Sequence, residues 1–386
     1  MKTILPLLLA CVVCAPFARA QSIHTESLAN PAASGSLQPN WSTAPDGSAI
    51  LSWIEPGSDD MYSLRYAVRR GTTWSAPHTI AAHRHFFEQP AEVPEVIQVS
   101  DKQWLAHWVE MPNESSEAEY IYTSSSTDGV HWTTPLMSHK DRSAVQHGLA
   151  SMIPSGPNEA SIFWLEALHG EDEPTYLMRT IVDSSGKEIR EEKLQGDVCS
   201  CCPTAVAKTA KGLLLAYRGR TQQDIRDIDI MRLENGHWSQ PKNLHVDNWH
   251  INACPTNAAA VAAKGDRVAV SWYTGATDPP KVEIAFSSNS GADFSQASTV
   301  STGHAFGYTS IAMNDDGSAM VSWLGRGASG NARVLVRRVT SAGAAGPVLE
   351  VASGGRMELG YPRIVHAGAA TFIAWGGEKL QTAQLK

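Results

Sequence analysis

Short runs of alternating or unbroken apolar residues, each closing on an aromatic, punctuate the chain: AILSW at Trp53, WLAHW at Trp108, ASIFW at Trp164, LLLAY at Tyr217, VAVSW at Trp272, AMVSW at Trp323 and TFIAW at Trp375. Successive aromatics stand 55, 56, 53, 55, 51 and 52 residues apart. Turn pairs precede several runs (Asp46-Gly47, Lys211-Gly212, Gly265-Asp266, Asp316-Gly317), and a second β-rich run such as SLRYAVRR, EYIYTSS, DIDIMRL or VEIAFSS follows. With turn signals arriving about every ten residues and no helical period of useful length, each unit is predicted to be four short antiparallel strands. A four-stranded unit of this size leaves both faces bare. Radial stacking covers them, so the pattern predicts an all-β chain folded as a β-propeller, with the seven aromatics in the core between blades.

Six units are complete, whereas the seventh, GYPRIVHAGAATFIAWGGEKLQTAQLK, supplies only three strands. The N-terminal segment IHTESLANP is the ready source of the fourth. The prediction is therefore seven four-stranded blades closed by an N-terminal strand, with six blades as the alternative.

The first residues change the picture of compartment. Lys2, an apolar run from Ile4 to Phe17 and the triplet Ala18-Arg19-Ala20 form a secretory signal, so residues 1–20 are expected to be a signal peptide cleaved near Ala20. Residues 21–386 are then a single propeller domain in a secreted or periplasmic protein. No later stretch approaches the ~20 apolar residues of a membrane helix, so stable membrane insertion is not expected. Losing Lys2 and Arg19 takes the formal charge from −8 to −10, which argues against nucleic acid and anionic membranes as partners. A monomer that binds a glycan or other small molecule fits better.

Of six cysteines, Cys11 and Cys14 leave with the signal. DVCSCCPT carries Cys199, Cys201 and Cys202, and the phrases CCPTAVA and ACPTNAAAV place Cys202 and Cys254 at equivalent points of adjacent blades. In an oxidising compartment the plainest reading is one or two disulfides tying blade 4 to blade 5. A second reading is a metal site of these thiolates with His250, His147 or His304, for which copper or zinc is the expected ion. A redox pair comes last, since the thioredoxin-like context that usually positions one is missing.

Propeller ligands meet at the mouth where the chain enters each innermost strand. That set contains Asn40, Glu92 or Glu95, His147, the cysteine cluster, His250 with Cys254, His304 to Tyr308, and Arg356 to Arg363. The loops after the second strands carry W-x-E in blades 1 to 3, giving Glu55, Glu110 and Glu166, against Arg218, Arg220 and Arg326 in blades 4 and 6. With Arg363 and Tyr361 these make a polarised funnel suited to an acidic sugar; ordinary solvated rim charge is the bland alternative.

The blade-end turns STDGVHW (Ser126 to Trp132), SNSGADF, RRGTTWSAP and ENGHWSQP resemble the Asp-box, S/T-x-D-x-G-x-x-W/F, of sialidase-like (BNR-repeat) propellers. Asp128 stands one residue short of the usual spacing. The resemblance covers nearly the whole chain as architecture, and it implies that Ser126, Asp128, Gly129 and Trp132 are structural, on the face opposite the site. Sialidases grip the sugar carboxylate with three arginines, use a tyrosine nucleophile with a glutamate and an aspartate acid/base, and carry Arg-Ile-Pro in the first blade. Arg-Ile-Pro is missing here. Asp224 or Asp227 could supply an acid, and Tyr217, Tyr308 or Tyr361 a nucleophile, but spacing assigns none of them. Binding at the mouth, rather than sialidase-like glycoside hydrolysis, is the expected function; a metal-binding propeller using the Cys/His rim is the alternative.

Overall fold

The computed structural model describes residues 23–386 apart from 58–60, 114, 115, 117, 168–173 and 378. The expected signal peptide lies outside the described residues.

Seven antiparallel sheets stand in a ring, each four strands deep from the axis outward. The innermost strands are Leu37–Thr43, Glu95–Ser100, Gln146–Gly156, Ala205–Thr209, Ala259–Lys264, Ala305–Met313 and Arg363–Ala367. In blades 1 and 4 the outermost strand is broken in two, Thr73–Trp74 with His78–Arg84 and His237–Trp238 with Lys242–Asn243. The fold is a seven-bladed β-propeller. Its last blade runs Thr25–Ser27, Gln381–Leu385, Ala370–Trp375, Arg363–Ala367, so the N-terminal segment closes the ring as the outermost strand.

The repeat aromatics explain why the ring forms. All seven sit on second strands, and Trp53, Trp108, Trp164, Tyr217, Trp272, Trp323 and Trp375 are between 0 and 6 % exposed. The apolar residues around them form seven clusters, one at each junction of neighbouring blades, including the junction of blade 7 with blade 1. No blade has a core of its own, so each is stable only against its neighbours.

At the turn after Tyr120–Ser126 the Asp128 carboxylate accepts from the Val130 and His131 amides at 2.8 Å, and Ser126 Oγ accepts from the Gly129 amide at 2.9 Å. Gly129 has φ +73°, and a Cβ there would stand 2.8 Å from the Tyr66 hydroxyl. Trp132 packs edge-on to Tyr66. These four residues brace the turn that follows the third strand of blade 2.

Candidate functional site

Strand register defines the mouth. Opposite the residue that precedes each core aromatic stands one equivalent position per innermost strand: Asn40, Glu95, Ser151, Ala205, Ala260, Ser310 and Arg363. All seven line a central cavity of about 170 Å³. Glu95 in blade 2 and Arg363 in blade 7 are the charged members of this ring; the others are small or neutral.

Two positions before Ser310 and Arg363, Tyr308 and Tyr361 also line the cavity, and their rings stack with centroids 3.7 Å apart and planes 14° from parallel. Arg356, exposed on the single helical turn Arg356–Leu359, donates to the Tyr308 hydroxyl and lies 4.9 Å from that ring's centre. Tyr308 has φ +53°, a conformation that costs an ordinary residue about 1 kcal/mol or more. Asn257 holds it there: its side-chain oxygen accepts from the Tyr308 amide at 2.6 Å, while its amide nitrogen donates to the Pro255 and Phe306 carbonyls. Gly307 is required beside it, because a Cβ would stand 2.1 Å from the Asn257 oxygen.

Beside the mouth, in the loops entering Glu95–Ser100 and Tyr120–Ser126, lies a buried acidic pair. Glu92 accepts from the Leu149 and Ala150 amides, and both Glu92 and Glu119 come within 3 Å of where a Gly148 Cβ would stand, at 2.9 and 2.8 Å. Burial, and then the neighbouring Glu119, pushes Glu92 up to about 8; burial pushes Glu119 up to about 7. Glu95, by contrast, accepts from the Met152 amide and pairs with the buried His107 at 3.1 Å.

The raised pair sets the sign of a pH dependence. Folded protein keeps both protons to pH 7–8, whereas unfolded chain releases them near 4.5, so stability is fully present below 4.5 and falls as pH rises towards 8. Glu92→Gln should flatten that fall and raise stability at pH 8.5 by on the order of 3 kcal/mol, with little change at pH 4.5. Thermal melts across this range check it; parallel curves for mutant and parent would contradict the buried-acid account.

Other sequence candidates lie elsewhere. Of the eight ligand-binding residues expected in the funnel, Tyr361 and Arg363 line the cavity. The W-x-E glutamates do a local job: Glu55 accepts from the Trp53 indole at 3.0 Å and pairs with Arg65 at 2.6 Å, and Glu110 accepts from the Trp108 indole and pairs with Arg84 at 2.7 Å. Two residues apart on a strand, indole and carboxylate share one face, which accounts for the spacing in blades 1 and 2, whereas the Trp164 indole donates to Thr180. Glu166 instead groups with Asp141 and His147. Arg218, expected as a rim cation, is 1 % exposed and donates to the carbonyls of Arg226, Asn257 and Tyr273. Arg220 pairs with Asp224 at 3.0 Å, and Arg326 is exposed. Asp227 caps the Asn248 and Trp249 amides.

The cysteines do converge. Cys201 is bonded to Cys254 across 53 residues, tying the loop entering blade 4 to that entering blade 5, with Cα atoms 6.0 Å apart. The bond uses Cys201, because Cys202 turns inward and is buried with Cys199 as a free thiol. A hydrogen bond from Cys202, with Arg218 and Arg226 nearby, holds the Cys199 thiol down at about 6 against the cost of burial, while burial pushes Cys202 up. His250 and His304 are exposed, and His147 is buried beside Asp141, so the metal-sized grouping at the cysteines is sulfur alone. Sequence reasoning missed the Tyr308/Tyr361 pairing and Asn257; the signal for the pair was their shared repeat position in blades 6 and 7.

No family model and no curated protein sequence matches this chain. Among solved structures it is similar to a protein of unknown function from Dyadobacter fermentans (16 % identity over 94 % of this chain and 99 % of that one, TM-score 0.51). The BP39L lectin of Burkholderia pseudomallei is similar at 12 % identity over 91 % of this chain and 95 % of the lectin, with a TM-score of 0.59. An ulvan lyase of a new polysaccharide lyase family, solved bound to -[GlcA(1-4)Rha3S]-, matches at 10 % identity over 93 % of this chain and 95 % of the lyase, also with a TM-score of 0.59. At these identities the likeness is one of fold.

Proposed function

We propose that the protein binds an anionic sugar residue of a glycan at the channel mouth, in a secreted or periplasmic setting, as a binding propeller. The observation that carries this reading is the wall of Tyr308, Tyr361, Arg356 and Arg363. Aromatic faces offer flat apolar surface to a sugar ring, and guanidinium groups take a carboxylate or sulfate in paired hydrogen bonds. A cavity of about 170 Å³ suits one ring, since ~150 Å³ admits benzene. Glu92 and Glu119, held protonated below about pH 7, leave Glu95 as the carboxylate facing Arg363 at the cavity. A lectin and a lyase solved with a GlcA-containing ligand share the fold, which supports a glycan as the ligand.

Binding fits this mouth better than sialidase chemistry. Arg356 and Arg363 are the arginines at the tyrosine pair, whereas Arg218, Arg220 and the acids Asp224 and Asp227 are engaged away from the cavity.

Calorimetric titration with uronate-bearing and sulfated oligosaccharides, beside their neutral counterparts, tests the reading. Tyr361→Ala and Arg356→Ala should each weaken the acidic ligand about tenfold, worth ~1.4 kcal/mol, and leave the melting temperature nearly unchanged. Added salt should weaken binding to the parent and have less effect on Arg356→Ala. Equal binding of neutral and acidic sugars, or affinity indifferent to both substitutions, would refute it.

A further inference from the structure

A second concentration of chemistry, among several in the described residues, sits in the loop that enters blade 4. Cys199-Ser200-Cys201-Cys202 contains a C-x-x-C pair, Cys199 with Cys202, obscured in the sequence because Cys201 stands inside it. The backbone turns at Ser200 and Cys201, which folds Cys202 back beneath Cys199. The three sulfurs lie within 4.8 Å of one another. Cys199 Sγ is 3.9 Å from Cys201 Sγ, and Arg226 Nη1 donates to Cys199 Sγ at 3.4 Å, a charge that favours its thiolate. The far sulfur of the disulfide belongs to Cys254, which is exposed. A buried nucleophile, a disulfide sulfur in front of it and a leaving group open to solvent are the parts that thiol–disulfide exchange needs.

We propose that these four sulfurs form an exchange site in which the buried Cys199/Cys202 dithiol reduces the Cys201–Cys254 bond and arms Cys254 against low-molecular-weight disulfides. The Cys199 thiolate attacks Cys201 Sγ, forming Cys199–Cys201 and expelling Cys254 as a thiolate at the surface. Cys202 attacks Cys199 Sγ, forming Cys199–Cys202 and releasing Cys201, whose departing sulfur, within 4.8 Å, takes the Cys202 proton. One disulfide and two thiol-level sulfurs exist before and after, so this rearrangement needs no oxidant. The Cys254 thiolate then attacks an external disulfide RSSR and releases one RS⁻. Cys201 attacks the Cys254 sulfur of the mixed disulfide, releases the second RS⁻ and restores Cys201–Cys254. In sum, two electrons and two protons of the Cys199/Cys202 dithiol pass to RSSR, leaving two RSH and a Cys199–Cys202 bond. Exposure decides the route: the reducing pair is sealed from solvent, and the surface disulfide is its outlet.

The test uses the native protein from residue 21 onward, which lacks Cys11 and Cys14, with 5,5′-dithiobis(2-nitrobenzoate) as the external disulfide. The wild-type protein should release two equivalents of nitrothiobenzoate per chain, matching the two free thiols among the described residues, and peptide mapping should then find Cys199 joined to Cys202. Cys199→Ser should slow release at least tenfold. The Cys201→Ser/Cys254→Ser double variant, which keeps the buried dithiol and lacks the outlet, should slow it equally; circular dichroism reports whether each variant is folded. Should a variant fail to fold, native alkylation of wild type before any disulfide is added decides, since exchange predicts labelling of Cys254. Release from the double variant at the wild-type rate, or wild type that neither releases thiolate nor alkylates at Cys254, would overturn the proposal.

Discussion

Removing residues 23–31 should abolish cooperative unfolding and drive the protein to aggregate. Thr25–Ser27 pairs with Gln381–Leu385 in register Thr25↔Leu385, Glu26↔Gln384 and Ser27↔Ala383. His24 and Lys386 exchange backbone hydrogen bonds at 2.9 Å, and the Leu28 amide donates to the Thr382 carbonyl at 3.0 Å. Ile23 and Leu28 pack against apolar clusters on opposite sides of the last blade. Without this strand, Gln381–Leu385 becomes a bare edge that templates pairing with other chains, and two junctions of the ring lose cover. Size-exclusion chromatography and thermal unfolding of the truncated chain give the answer. A truncated monomer that melts with the parent would show that the ring does not depend on its N-terminal closure.

Arg218→Ala should cost about 3–5 kcal/mol of stability. This guanidinium is sealed between blades 4 and 5, donating to Arg226 of its own blade and to Asn257 and Tyr273 of the next, and it lies 4.9 Å from the centre of the Trp249 ring. Its loss orphans three buried carbonyls and opens a void where water has no ready path. Arg218→Lys should recover little, because one ammonium cannot reach three acceptors that a planar fork spans. Urea unfolding of both variants measures this. A change within ~1 kcal/mol for Arg218→Ala would return the residue to the class of ordinary surface cations.

Arg218 also shows where sequence reasoning fails. It stands directly after a core aromatic at the end of a second strand, in the same place as the first residue after Trp53, Trp108 or Trp323, and a charge at a strand end is ordinarily solvated. Its burial follows from the loop carrying Trp249, which folds over it. Nothing local to residue 218 announces that loop. The glutamates of W-x-E teach the same lesson: the repeat was visible, but their role depends on Arg65 and Arg84, which arrive from other strands.

What the sequence determined alone was whatever repeats: strand alternation, the aromatic spacing, the count of blades, the missing strand and its N-terminal source, and the rim on which the cysteines gather. Those features are encoded by short-range patterns written seven times, so chance errors in one blade are corrected by the others. Tertiary structure alone decided which residues meet. Tyr308 stacks on Tyr361, Glu92 faces Glu119, and Cys201 rather than Cys202 bonds Cys254 because a turn, a bulge or a left-handed residue re-aims one side chain by a step. A single-residue shift of that kind reverses the face a side chain occupies while leaving the repeat pattern intact, and so the sequence specifies the ring and the folded backbone specifies its mouth.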